Sequence, residues 1–277
     1  MHATFLSVDN DMKYVSILGS TGSIGTNSLS VISSLSKKFR IYGLSCNKNT
    51  LLLEKQIISY SPEFAVITNK KSYDSFIKKY GDTFHGTNII YGEDGLELIS
   101  SNNKVSTVIV AIVGFSCLKP VISAIKHNKI ILTANKEILV SAGDFIISTL
   151  NKTNATLLPI DSEHNALLQV LLASGLEYKI NDKEYYKNKI KKLILTASGG
   201  PFYDFDLKDL ENVSPTQALK HPTWNMGKKI SVDSATMMNK GLEIIEAKVL
   251  FNLDLDNIIA IIHRQSKVHA LVEFFDG

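Results

Sequence analysis

"VSILGSTGSIGTNSLSVISSL", residues 15–35, decides the fold. A short apolar run leads into Gly19, Gly22 and Gly25, and an amphipathic helical pattern follows them. Glycines let the backbone turn tightly and approach a pyrophosphate, whose charge is met by the N–H groups opening a helix. The spacing is G-x-x-G-x-x-G rather than G-x-G-x-x-G, so the glycines alone are a weak sign of a dinucleotide site. Their context, strand before and helix after at the head of a βα series, strengthens it. A glycine-rich turn without a ligand is the competing reading.

The segments beyond repeat that rhythm. Apolar runs at 14–18, 39–46, 64–67, 88–91, 105–112 and 130–134 alternate with longer stretches of helical periodicity, which predicts a parallel sheet flanked by helices. After "ATLLPI" at 155–160 the pattern changes. Residues 175–192 are strongly polar, with six lysines and three acids, and read as a solvated surface excursion rather than a nucleic-acid patch. A strand at 190–197, a Gly-rich loop, a helix and strands near 258–263 and 268–275 complete the chain. The predicted fold is α/β: a Rossmann-like doubly wound parallel sheet over 1–160, then an α+β catalytic domain over 161–277.

A length of 277 residues suits about two domains, each with its own core. Hydrophobic residues at 44% and charged residues at 21% are globular composition, and a net charge of +3 argues for neither nucleic acid nor membrane as partner. Cys46 and Cys117 can build no disulfide framework and lack metal-ligand spacing, which favours a reducing compartment. The longest apolar run, "VIVAIVGF" at 108–115, is far short of a membrane span. No signal or transit pattern opens the chain, Met12 offers a second possible start, and the expected location is cytoplasmic.

The end of the second predicted strand, "FRIYGLSC" at 39–46, bears on cofactor choice. An NAD site wants an acid there for the ribose 2′-OH. Asn47, Lys48 and Asn49 stand there instead and would accept a 2′-phosphate, which points to NADPH; a polar turn explains any single one of them equally well.

Three clusters carry candidate chemistry. "ILTANKE" (131–137) ends a strand with Asn135, Lys136 and Glu137. "PIDSEHN" (159–165) places Asp161 and Glu163 two apart, where two carboxylates repel unless a cation or proton lies between them. Asp161 also reads as an ordinary helix N-cap. "TASGGPF" (196–202) is a strand followed by Ser198 and two glycines, a shape suited to phosphate. In "VDSATMMNKGLEIIEA" (232–247), helical spacing makes an apolar stripe of Met238, Leu242, Ile245 and Val249, predicted to be buried. Ser234, Asn239, Lys240 and Glu243 lie off that stripe, as a site wall or as a wet face with one salt bridge. Asp161, Glu163 and Glu243 together suit Mg²⁺ or Mn²⁺ rather than zinc, and Ser198, Ser234, Asn239 and Lys240 suit a phosphate.

"GSTGSIG", "ANKE", "DSEHNA", "SGGPF", "HPTWNMGKKISVDSATMMNKGLE" and "VHALVEFFDG" occur here in order, and the chain from about residue 12 resembles the 1-deoxy-D-xylulose 5-phosphate reductoisomerase family. The resemblance implies NADPH-binding residues at Thr21, Gly22, Ser23, Ile24, Asn47, Lys48, Asn49, Asn135, Glu137 and Gly227. It implies a metal held by Asp161, Glu163 and Glu243, and a phosphate held by Ser198, His221, Ser234, Asn239 and Lys240. Ser162 and Lys136 would contact the substrate's oxygen-bearing backbone, and Lys136, Ser162, Glu163 and His221 are the expected catalytic set. Trp224 would lie in a mobile flap; for it and His221 the plain readings are a buried anchor and a capped turn. The implied activity is metal-dependent retro-aldol/aldol rearrangement and NADPH reduction of a sugar phosphate to 2-C-methyl-D-erythritol 4-phosphate, in isoprenoid synthesis, by a homodimer. A simple sugar or amino-acid dehydrogenase needs neither "DSE" nor "MMNKGLE".

Family members are expected to continue beyond Gly277 into a C-terminal helical domain. The chain therefore reads as a form truncated at that end, and a folded, inactive NADPH-binding fragment is the alternative to an active enzyme. Arg264 and Lys267 stand where the family commonly has proline and an aliphatic residue.

Overall fold

The computed structural model describes residues 12–220 and 227–277. The chain divides into two compact units, Met1–Ile160 and Asp161–Gly277.

In the first unit β1 (Lys13–Leu18), β2 (Phe39–Cys46), β3 (Phe64–Ile67), β4 (Thr83–Phe84), β5 (Thr87–Tyr91), β6 (Val105–Val110), β7 (Ile130–Thr133) and β8 (Thr156–Pro159) form one sheet. Their order is β4-β5-β3-β2-β1-β6-β7-β8, and every neighbouring pair is parallel except β4 with β5. The connections carry α1 (Ser23–Ser34), α2 (Thr50–Tyr60), α3 (Lys70–Tyr80), α4 (Gly92–Ser101), α5 (Leu118–Lys126) and α6 (Lys136–Leu150). From β1 the sheet extends outward through β2 and β3 to β5, with β4 on its outer edge, and the chain then returns to start again with β6 on the other side of β1. The sheet order thus reverses between β1 and β6, which is where doubly wound folds open a crevice for ligands.

Val15–Leu18 and Thr107–Val110 are buried without alternation, as expected of parallel strands covered on both faces. Leu29 and Ile32 of α1 and Leu53 and Ile57 of α2 close over Ile17, Leu44 and Ile67. Each such fully buried aliphatic side chain contributes about 1.5–3 kcal/mol. The short antiparallel strand β4 carries no period long enough to be legible in the sequence.

The second unit contains α7 (Ser162–Ala173), α8 (Lys183–Lys187), β9 (Ile190–Ala197), α9 (Leu207–Leu210), α10 (Pro215–Ala218), α11 (Lys228–Ala235), α12 (Met238–Phe251), β10 (Ile258–Ile262) and β11 (Ala270–Phe274). Its sheet runs β10-β9-β11, with β10 parallel and β11 antiparallel to β9. Helices α7 and α12 pack on it.

Two expectations are corrected here. Residues 175–192 lie mostly at the surface but are not a wholly solvated excursion: Tyr186 is fully buried, and its ring and that of Tyr178 pack edge-on against Phe251. The Asn181 backbone N–H donates to Leu250 O at 2.7 Å and its amide to Val249 O at 2.9 Å, closing the carbonyl end of α12. The polar side chains in this stretch therefore cap and anchor, while Lys179, Lys187 and Lys191 are exposed.

Nor is 232–247 one helix with its apolar stripe inside. Met237 adopts φ +61°, ending α11 and restarting α12 in a new phase. Met238 is then 56% exposed and Ile245 41% exposed, whereas Lys240, Glu243 and Glu246 are buried with Ala247, Leu250 and Phe251. Lys240 and Glu243 tolerate that burial because they pair with each other, and Glu246 because it faces the buried His164.

Candidate functional site

After β1 the chain enters the glycine turn. Gly19 has φ +87°, and a Cβ there would lie 2.7 Å from Ala111 O just beyond β6. A Cβ on Gly25 would come within 2.3 Å of Gly19 O, so α1 can rest against the turn only without a side chain. Ser45 holds the turn, its hydroxyl accepting from Gly19 N at 2.8 Å and its carbonyl from Ser20 N at 2.8 Å. The buried Ser20 and Gln56 exchange bonds of 2.7 and 2.9 Å. Gly22 is the N-cap of α1 with no side-chain cap, and Gly22, Ser23 and Ile24 are exposed beside the half-buried Thr21. The turn is thus placed at the reversal of the sheet and rigid on its inner side.

At the end of β2, Asn47, Lys48 and Asn49 are exposed. Asn47 donates to Thr68 Oγ1 at 2.8 Å and Asn49 caps α2 by accepting from Leu52 N at 3.2 Å, so the amides organise the turn beneath Lys48. At the end of β7, Asn135 is buried: it caps α6 through Ile138 N at 2.9 Å and donates to Ile112 O at 2.6 Å and Gly114 O at 2.8 Å. It ties the β6 and β7 loops together. Lys136 is buried and Glu137 half-buried at the start of α6.

In the second unit Asp161 caps α7, accepting from Ser162 N at 3.1 Å, and the Ser162 hydroxyl donates to Glu163 Oε2 at 2.6 Å. Seventy-seven residues on in sequence, Lys240 Nζ reaches Glu163 Oε1 at 3.1 Å and also pairs with Glu243. Asn239 donates to Glu243 Oε1 at 2.5 Å. One oxygen each from Asp161, Glu163 and Glu243 lies within 4.8 Å of the others. Lys240 is 5% and Glu243 1% exposed, so these charges interact in a medium that screens them poorly.

Ser198, Gly199 and Gly200 follow β9. Both glycines have positive φ, +85° and +70°, and Gly200 N donates to Ser198 Oγ at 3.3 Å. A Cβ on Gly200 would sit 2.7 Å from Ser234 O, which brings the loop against the end of α11 that carries Ser234. A cavity of about 310 Å³ beside the loop is lined by Phe202, Tyr203, Leu210, Met237 and Ile262 among others, mostly apolar, and none of the charged cluster lines it. Gly227 is the N-cap of α11 and its carbonyl accepts from Ser231 Oγ at 3.1 Å. His221 and Trp224 lie outside the described residues.

The sequence reading missed two residues. His164 and Glu246 are fully buried, with His164 Nδ1 3.3 Å from Glu246 and 3.8 Å from Asp161. His164 Nε2 is 2.8 Å from Glu243 O, so the ring touches both elements that carry the carboxylates. Burial alone would push this imidazole down, but the charges of Glu246, Asp161 and Glu243 outweigh it and raise its pKa to about 9. The signal was present: His164 follows Asp161 by three and Glu246 follows Glu243 by three, on one helix face each.

The fold and site define a dinucleotide-type α/β protein with an acidic, lysine-bearing second unit. The family profile described as 1-deoxy-D-xylulose 5-phosphate reductoisomerase matches residues 15–143, and that of the same enzyme's C-terminal domain matches 157–251. A protein of Buchnera aphidicola subsp. Acyrthosiphon pisum named 1-deoxy-D-xylulose 5-phosphate reductoisomerase is 45% identical over 266 residues, covering 96% of this chain and 67% of the relative. One of the same name from Wigglesworthia glossinidia brevipalpis is 46% identical over 267 residues, with the same coverage of 96% and 67%. The chain belongs to the 1-deoxy-D-xylulose 5-phosphate reductoisomerase family, and it spans about two thirds of the length of these relatives. A crystal structure of DOX-P reductoisomerase in complex with NADPH, fosmidomycin and magnesium superposes with a TM-score of 0.87 at 42% identity, over 96% of this chain and 65% of that one. The Zymomonas mobilis enzyme in complex with NADPH gives 0.82 at 34%, over 96% and 65%.

Proposed function

We propose that this chain binds NADPH and a divalent cation, Mg²⁺ or Mn²⁺, and converts 1-deoxy-D-xylulose 5-phosphate to 2-C-methyl-D-erythritol 4-phosphate. The observation that carries the reading is the convergence of Asp161, Glu163 and Glu243 within 4.8 Å beside Lys240. Three oxygen donors at that separation fit a hard divalent cation, and the Lys240 ammonium lies between two of them, as expected where negative charge needs a cation. Family membership and the NADPH and magnesium complexes of similar enzymes support it.

Asp161, Glu163 and Glu243 would hold the cation, which when bound supplies a Lewis acid and a template for neighbouring substrate oxygens. NADPH supplies the hydride. Its residues in this reading are Thr21, Gly22, Ser23 and Ile24 of the glycine turn, Asn47, Lys48 and Asn49, Asn135 and Glu137, and Gly227. Lys48 offers the charge for a 2′-phosphate; Asn47, Asn49 and Asn135 act by holding their loops. Ser198, Ser234, Asn239 and Lys240, with His221, take the phosphate, a non-reacting group whose binding energy is available for orientation. Ser162, through its bond to Glu163, and Lys136 are assigned to the substrate's hydroxyl and keto oxygens. His164 and Glu246 hold α7 and α12 in register so that their carboxylates converge.

The same reading includes a homodimer, supported by the exposed Ile261, Ile262 and Leu271 on the small sheet. A reducing compartment is supported by two buried thiols. Among the described residues no helix is long and apolar enough to cross a membrane.

The test is NADPH oxidation by the purified chain given 1-deoxy-D-xylulose 5-phosphate, with and without Mn²⁺ or Mg²⁺. Metal-dependent turnover supports the proposal. A chain that binds NADPH but turns nothing over is the inactive fragment instead.

A further inference from the structure

The strands β9 and β10 run parallel with Ala197 opposite Ile262, so their following loops leave the sheet at one edge. His263 N donates to Ala197 O at 2.7 Å, and a tight turn with Ser266 at φ +48° holds the second loop. From that turn Arg264 reaches back across. Its Nη1 donates to Ser198 O and Gly200 O, both at 3.3 Å, and its Nη2 to Asp204 Oδ2 at 3.2 Å. The guanidinium also lies 4.7 Å from the centre of the Tyr203 ring. That ring in turn covers Gly199, where a Cβ would come within 2.8 Å of it.

We infer that Arg264 is a positioning residue for phosphate recognition: its guanidinium clamps the Ser198–Gly200 loop so that the Ser198 side chain is held ready for an anionic phosphate group. The inference rests on the reading of Ser198 as a phosphate contact. Two consecutive glycines at positive φ are the least restrained residues available, and an unclamped loop would have to be ordered by the ligand itself. A planar guanidinium suits the task because it can bond two carbonyls and a carboxylate while stacking on a ring; an ammonium at the end of a lysine cannot do all of these. The positive group takes the loop's carbonyls on one side, while Gly200 is stopped against Ser234 O on another. The loop that carries Ser198 is thereby fixed between the guanidinium and Ser234, the other serine assigned to the phosphate.

The experiment titrates inorganic phosphate into the full chain and its variants by calorimetry, and measures KM and kcat for the sugar phosphate. Arg264→Ala should weaken phosphate binding roughly fivefold and raise KM by a similar factor, with kcat within about twofold. Arg264→Lys should recover part of the loss. If Ser198→Ala weakens phosphate binding while Arg264→Ala binds like the unaltered chain, the inference is overturned alone. If Ser198→Ala leaves phosphate binding unchanged, the reading of Ser198 fails and takes the inference with it. Should Arg264→Ala not fold, Asp204→Asn decides: weaker phosphate binding at an unchanged thermal midpoint supports the clamp, and unchanged affinity overturns it.

Discussion

The glycine turn after β1 and the carboxylate cluster of the second unit are built from opposite materials. The turn is made of backbone: Gly19 and Gly25 matter for the side chains they lack, and their closest neighbours are carbonyl oxygens. The cluster is made of charge: Glu163, Lys240 and Glu243 matter for the ends of their side chains, drawn from α7 and α12. A backbone site is largely local, since one βα unit supplies all its glycines, while Ser45, Gln56 and Ala111 brace it from outside. A charge site is assembled, since like charges stay together only when distant elements bring counter-charges. The first therefore tolerates side-chain changes around it but no added carbon, and the second tolerates repacking but no lost charge.

The largest expected effect lies in the cluster. Glu243→Gln should reduce turnover by roughly a thousandfold, about 4 kcal/mol of barrier, by taking a carboxylate from the proposed cation site. It should also abolish the rise in thermal midpoint expected when Mn²⁺ is added to the unaltered chain, while NADPH binding measured by fluorescence stays unchanged. Loss of NADPH binding would break the separation drawn between the two sites.

Next comes the pair behind the carboxylates. Glu246→Ala leaves His164 buried without its nearest counter-charge and should cost about 3–5 kcal/mol of stability in urea unfolding. A cost under about 1 kcal/mol would mean that α7 and α12 keep their register without this pair.

Gly25→Ala should cost about 1–3 kcal/mol through the overlap with Gly19 O and should abolish NADPH binding. Cation-induced stabilisation should survive if the variant folds, which makes it the mirror image of Glu243→Gln. The smallest effect is that of Lys48→Ala, an exposed charge, which should raise the NADPH dissociation constant by about fivefold, about 1 kcal/mol. NADH affinity should not move. An equal loss for both cofactors would show that Lys48 does not read the 2′-phosphate.

The two corrections in the second unit follow from the same contrast. A helical wheel drawn through 232–249 put Met238 and Ile245 inside, because apolar periodicity is read on the assumption that charge is outside. Met237 at φ +61° breaks the wheel, and Lys240 and Glu243 can then be buried together. The lysine-rich segment before β9 is more firmly anchored than its composition suggests, for a related reason. Its tyrosines and Asn181 serve the end of α12, a partner some seventy residues away in sequence.

By itself the sequence determined the alternation of strands and helices, the position of the glycine turn, and the presence of the carboxylates, serines and lysine. These are readable because period, glycine conformation and donor chemistry belong to individual residues and their near neighbours. Only the tertiary structure decided that α12 turns its charged face inward, that His164 and Glu246 stand behind the carboxylates, and that Arg264 holds the Ser198 loop. Those outcomes depend on energies between charges on distant elements, and such energies exist only once packing has excluded water from between them.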